Sequence, residues 1–262
     1  MRRFIPFLKN PPRVAVVRLT GMISAGRGLS DQSAAPLLER AFKAKPDAVA
    51  LVINSPGGSP VQSSMIAARV RRLADERNIP VHAFVEDVAA SGGYWLACAG
   101  DKIWVDDSSI LGSIGVISAS FGFDRLMDRQ GVERRVITAG KNKSFGDPFR
   151  PQAPEDVDRI KALQAPIHQV FIAHVKARRG ARLLADADLF NADIFVGAQA
   201  VSVGLADGIG HVVPKMKELY GDKVQFAVLA PKRGMLSRFG FGLASEMMGA
   251  VEERIAFDRF GV

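Results

Sequence analysis

Ala48-Val49-Ala50-Leu51-Val52-Ile53-Asn54-Ser55-Pro56-Gly57-Gly58-Ser59 runs from an unbroken apolar stretch into a polar, glycine-rich junction, and Pro60 then opens a segment of helical periodicity. A short apolar run bounded by turn residues reads as a strand buried on both faces. In Val61 to Arg77, Met65, Ile66, Val70 and Leu73 share one face and charges take the other, the pattern of a helix laid on a sheet. The unit recurs along the chain. Val14 to Leu19, Val81 to Val85, Ile103 to Val105, Val116 to Ser118 and Val136 to Thr138 read as further strands, and Ala34 to Lys45 as a helix with Leu37, Leu38, Ala41 and Phe42 inward. The alternation predicts an α/β fold with a mostly parallel sheet flanked by helices and functional loops at the strand ends.

A longer helix is predicted from Pro154 to near Gly180, with Glu155, Asp156 and Asp158 early and Lys176, Arg178 and Arg179 late. Its expected buried stripe is Val157, Ile160, Leu163, Ile167, Val170, Phe171 and His174, and His168 and His174 are expected as packing or surface residues rather than catalytic bases. Three regions follow: a basic arm over 1–12, the α/β domain over 13–230, and an amphipathic extension over 231–262. In the last, Leu243, Met247, Val251 and Ile255 recur every four residues and are expected to dock on protein.

The 262 residues are 48% apolar, enough for a substantial core, and carry a net charge of +8. The arginines occur in small scattered clusters with no aromatic signature beside them, so nucleic acid is not the expected partner. One cysteine, Cys98, leaves no intrachain disulfide and suits a reducing compartment. The apolar run Phe4 to Leu8 is too short for a secretory signal or a membrane span. The expectation is a cytoplasmic protein, with at most peripheral contact on the inner face of a membrane.

Three motifs carry chemistry. The glycines of Asn54 to Ser59 allow backbone amides to face a ligand, as an oxyanion hole or a phosphate loop would; the Gly-Lys-Ser/Thr ending of a nucleotide loop is missing. Ala89-Ala90-Ser91-Gly92-Gly93-Tyr94 follows the strand ending at Val85 and places Ser91 at a helix start, as a nucleophile or as a plain cap. Gly112-Ser113-Ile114-Gly115 precedes Ala139-Gly140-Lys141-Asn142-Lys143-Ser144. A lysine in such a turn is ordinarily a solvated charge; it serves as a base only when burial keeps its amine neutral, several units below about 10.4.

In this order the motifs, over roughly residues 13 to 215, resemble the S49 signal peptide peptidase family, serine peptidases related in fold to Clp protease and the crotonases. Gly197-Ala198-Gln199-Ala200 and Gly204-Leu205-Ala206-Asp207 resemble that family's structural closing segment. The resemblance implies a Ser91 nucleophile, Lys143 as general base in preference to Lys141, oxyanion amides from Gly58 and Gly92, and Ser113 orienting the base. Asn142 stands where relatives often have an aromatic residue. A Clp-like histidine is missing from Leu111 to Ile117. The resemblance further implies hydrolysis of apolar peptides such as signal-peptide remnants through an acyl-enzyme, a ring-like homo-oligomer, and no metal or organic cofactor. A crotonase-like enolate chemistry leaves the Ser91 and Lys143 motifs unexplained; a third, non-enzymatic reading is a stomatin-associated or membrane-docking scaffold whose basic arms and Met-rich tail bind partners.

Overall fold

The computed structural model describes residues 10–26, 28–230 and 253–261. Most of the basic arm, and Leu243, Met247 and Val251 of the C-terminal stripe, lie outside them. The chain divides into two compact units, one built from residues up to 114 and from 172 onward, the other from 115–171.

The first unit is a sheet dressed with helices. In chain order its elements are β1 (Arg13–Thr20), α1 (Asp31–Lys43), β2 (Ala48–Ser55), α2 (Pro60–Arg77), β3 (Val81–Ala90), α3 (Gly92–Ala97), β4 (Lys102–Val105) and β5 (Ile110–Gly112). The second unit supplies α4 (Asp124–Arg129), and α5 (Pro154–Arg179) returns the chain to the first. There β6 (Ile194–Val196), α6 (Gly197–Ser202), β7 (Gly208–Ile209), α7 (Val212–Tyr220) and β8 (Gln225–Leu229) follow. The sheet runs β6-β5-β3-β2-β1-β8, with β4 against β3 and β7 against β4. All pairings are parallel except β5 with β6. Parallel strands covered on both faces select continuous apolar runs, which is why β2 is buried almost end to end.

Local chemistry sets the helix ends. Ser30 caps α1 and exchanges hydrogen bonds with Ser33 in a capping box; Ser59 caps α2, whose first residue is Pro60. Arg69 of α2 grips Asp31 of α1 with two bonds of 2.7 Å, and this pairing holds the Asp31 carboxyl below the usual carboxylate range. On one face of the sheet Val14, Val16, Ala50, Val52 and Phe84 form a cluster with Met216 of α7.

Several expectations need correcting. Val116 to Ser118 and Val136 to Thr138 form no strand; both lie in the second unit, where Ile137 is fully exposed. A run rich in β-branched residues becomes a strand only where a neighbouring strand pairs with it, and neither run has such a partner among the described residues. The stripe predicted for α5 is buried only toward its end: Phe171 and Val175 are covered, whereas Leu163, Ile167 and Val170 are exposed. Periodicity marks an apolar face but not what lies opposite it. Strand β3 runs five residues past Val85, and a register irregularity between Ile53 and Ser55 lets it carry the polar Glu86 and Asp87.

In the second unit Phe123 stacks on Phe149 with ring centroids 5.6 Å apart. Arg134 lies over Phe149 and ion-pairs with Asp147. Arg134, Asp147 and Phe149 border a cleft of about 340 Å³ with Val136, Thr138, Ser144 and Arg150. Among the described residues no helix is long and apolar enough to cross a membrane.

Candidate active site

The parallel ladder delivers two serines side by side. Ala90 at the end of β3 is in register with Gly112 at the end of β5, and the Ser91 amide donates to the Gly112 carbonyl at 2.8 Å. Ser91 and Ser113 are the next residues on the two strands, and both take a left-handed φ, +50° and +49°. A non-glycine residue there is strained, and such strain persists only where the surroundings impose it. With ψ at −119°, Ser91 forms a sharp strand-to-helix turn into α3, and its side chain makes no capping hydrogen bond. The plain-cap alternative for Ser91 is thereby removed. Ser113 is buried, and its amide is fixed to the Asp193 carbonyl at 2.7 Å.

The glycine loop abuts this turn. Gly57 and Gly58 have φ of +103° and +136°, and a Cβ on Gly57 would stand 2.8 Å from the Gly92 nitrogen and 2.9 Å from the Ser91 Cβ. A Cβ on Gly92 would lie 3.3 Å from the Gly58 nitrogen. Among the described residues, neither the Gly58 nor the Gly92 amide donates a hydrogen bond. Two unused donors beside one serine hydroxyl are the components of an oxyanion hole.

One element of the site has no signal in the sequence. The segment Gly21 to Ser24 folds over the loop, and Ile23 bridges it: the Ile23 amide donates to the Gly57 carbonyl, and the Ser59 amide donates to the Ile23 carbonyl, both at 2.8 Å. Ile23 is buried, and its Cδ1 would be 3.3 Å from a Cβ on Gly92. A lone Ile-Ser after a strand has no periodicity to mark it.

Thus Gly58, Ser91, Gly92 and Ser113 come together in the first unit. Lys143 belongs to the second, on a turn where its amide donates to the Gly140 carbonyl at 3.1 Å; both Lys141 and Lys143 are exposed. The run leading into this turn, Val136 to Thr138, was expected as a strand and is not one.

The histidines have other work. His82 accepts from Trp104 through Nδ1 at 3.3 Å and meets the Tyr220 hydroxyl through Nε2 at 3.2 Å; His211 pairs with Asp106 at 2.8 Å. His174 stacks on Trp95, as a packing residue would. Burial lowers the pKa of both His82 and His174. Cys98 is buried, and its thiol is pushed up to about 12 by desolvation, which makes it inert. Among the described residues no group of three or more His, Cys, Asp or Glu side chains is placed to hold a metal ion.

Residues 74–223 match the model of peptidase family S49. A protein of Brucella melitensis that carries the name Na(+)/H(+) antiporter NhaA is 50% identical over 262 residues, covering 96% of this chain and 35% of that protein. A putative protease of Methanocaldococcus jannaschii is 33% identical over 171 residues, 65% of this chain and 54% of its own length. The chain therefore spans about a third of one relative and about half of the other. In fold it resembles a mutant of the 1510-N membrane-bound stomatin-specific protease, with a TM-score of 0.52 and 15% identity over 86% of this chain and 100% of that one.

Proposed function

Since the chain belongs to peptidase family S49, we propose that it is a serine peptidase in which Ser91 and Lys143 form a catalytic dyad on a Clp protease/crotonase-like sheet. The observation that carries the reading is the strained Ser91 turn, uncapped and set beside two unused glycine amides. Lys143, exposed in this structure, is assigned as the base once bound substrate covers its amine; it takes the Ser91 proton, and the Ser91 oxygen bonds to the peptide carbonyl carbon. The oxyanion is held by the Gly58 and Gly92 amides. Lys143 then gives the proton to the departing amine as the C–N bond breaks, and next takes one from the water that cleaves the acyl-enzyme. Ser113, next to Ser91 on the neighbouring strand, is assigned to orient the lysine amine. No metal or organic cofactor enters these steps.

Substrates are apolar peptides such as signal-peptide remnants, met by a ring-like homo-oligomer with peripheral membrane contact. Antiport is not carried over from the Brucella relative, of which the match covers about a third.

A fluorophosphonate probe followed by mass spectrometry tests the assignment. Label is expected on Ser91 alone, carried by a species several times the 28.2 kDa of one chain. Ser91→Ala is expected to abolish labelling, and Lys143→Ala to lower peptide turnover by at least about 10³-fold, with Lys141→Ala near wild type. Full turnover in Ser91→Ala or Lys143→Ala removes the dyad, and a labelled single chain removes the ring.

A further inference from the structure

An oxyanion hole works only if its donors stay aimed at one point. Here one of the two sits in Gly57-Gly58, a pair with positive φ and no side chain to lock it. The segment around Ile23 holds this loop through backbone bonds, so the question moves to what fixes that segment and the loop to each other.

We propose that Ser55 is a positioning residue for the oxyanion hole. Ser55 ends β2 with no exposed surface. Its hydroxyl donates to the Gly21 carbonyl at 2.7 Å, at the root of the covering segment, and accepts from the Gly57 amide at 3.3 Å, inside the loop. This one hydroxyl thus hydrogen-bonds both the covering segment and the loop. The Gly21 amide, in turn, donates to the Asn54 carbonyl at 2.9 Å, so the segment is tied through both the amide and the carbonyl of one residue.

The nucleophile turn rests on the same residue. A Cβ on Gly93 would overlap the Ser55 carbonyl oxygen and lie 3.2 Å from the Ser55 Cβ. Ser55 also pairs in register with Ala89, two residues before Ser91. It therefore touches the covering segment, the glycine loop and the turn that presents Ser91. A serine serving only as a satisfied core residue needs one partner; this one spans two separate segments and backs a third. Removing the hydroxyl would leave the Gly57 amide and the Gly21 carbonyl without their shared partner and free the loop to shift.

The inference rests on the peptidase reading, and the experiment separates the two. Full-length wild type, Ser55→Ala and the near-isosteric Ser55→Cys are compared for kcat and KM on a fluorogenic apolar peptide and for inhibition by a peptide aldehyde. The hemiacetal oxygen of that inhibitor occupies the hole. Displaced donors lower kcat by about 10- to 100-fold, leave KM within about twofold, and weaken the aldehyde by the same factor as kcat/KM. A merely structural serine would lower the amount of active enzyme without changing the aldehyde constant.

Ser55→Ala that folds and keeps kcat/KM and aldehyde affinity within about threefold of wild type overturns the positioning role alone. Should Ser55→Ala not fold, Ser55→Cys carries the same comparison and the same criterion. Wild type that neither turns over peptide nor binds the aldehyde overturns the peptidase reading and this inference with it.

Discussion

Gly58 is the residue at which backbone geometry and chemistry meet most tightly. Its φ of +136° lies outside what a side chain tolerates, and a Cβ there would overlap the Ile23 carbonyl oxygen that accepts from Ser59. Gly58→Ala must therefore break the Ile23 bridge or rotate the peptide, and either moves the amide assigned to the hole. Stability is expected to fall by about 1–3 kcal/mol, whereas kcat falls by about 10²- to 10³-fold. Denaturant melts and steady-state kinetics on one preparation check this. Near-wild-type kcat in a folded Gly58→Ala protein would take its amide out of the hole. The Gly57-Gly58 pair and Ser91-Gly92 were legible in the sequence because their chemistry is local. The bond from Ser55 to Gly21 spans 34 residues and was not; nothing near Gly21 announces that it returns to the loop.

At the scale of elements, the long apolar runs gave β1, β2 and the first half of β3 correctly, since a doubly covered strand has no use for polar residues. Short strands are set by the neighbours they pair with, so β5 to β8 were not foreseen, and the runs at Val116 and Val136 were misread for the same reason. Element packing also creates a pH response. His82 on β3 accepts a hydrogen bond from Trp104 of β4 and touches Tyr220 of α7, an arrangement that requires a lone pair on Nδ1. Protonation removes that lone pair, and burial holds the folded-state pKa below 6.5; Asp101 opposes the shift weakly and Lys102 adds to it. The unfolded chain then binds the proton more readily than the folded one. The contribution of His82 to stability is full above about pH 6.5 and is lost as pH falls through the lowered folded value. His174, lowered in the same direction, adds to the slope. Thermal melts at pH 7.5 and 5.5 are expected to show a smaller acid-side loss in His82→Gln than in wild type. An unchanged difference would mean that α7 packing does not sense the proton.

For the whole molecule, the two units differ in what holds them. The first buries β2 and β3 among neighbours on both sides. The second has one short helix of its own, α4, with no buried residue, and its Ile117, Phe121 and Ile137 are exposed. Opening free energies follow buried contacts, so amides at 49–53 and 82–85 are expected to exchange at rates near those of global unfolding, and those at 116–138 orders of magnitude faster. The proposed mechanism adds a condition. If Lys143 is the base for Ser91, the turn that carries it is ordered in the reacting state, because proton transfer needs the amine within hydrogen-bond reach of the serine oxygen. Occupying Ser91 with a peptide aldehyde should therefore slow exchange over 139–147, and Lys143→Ala should abolish that protection while leaving the slow exchange of 49–53 intact. Exchange over 139–147 that ignores the inhibitor would place the base elsewhere in the chain, even if Ser91 remains the nucleophile.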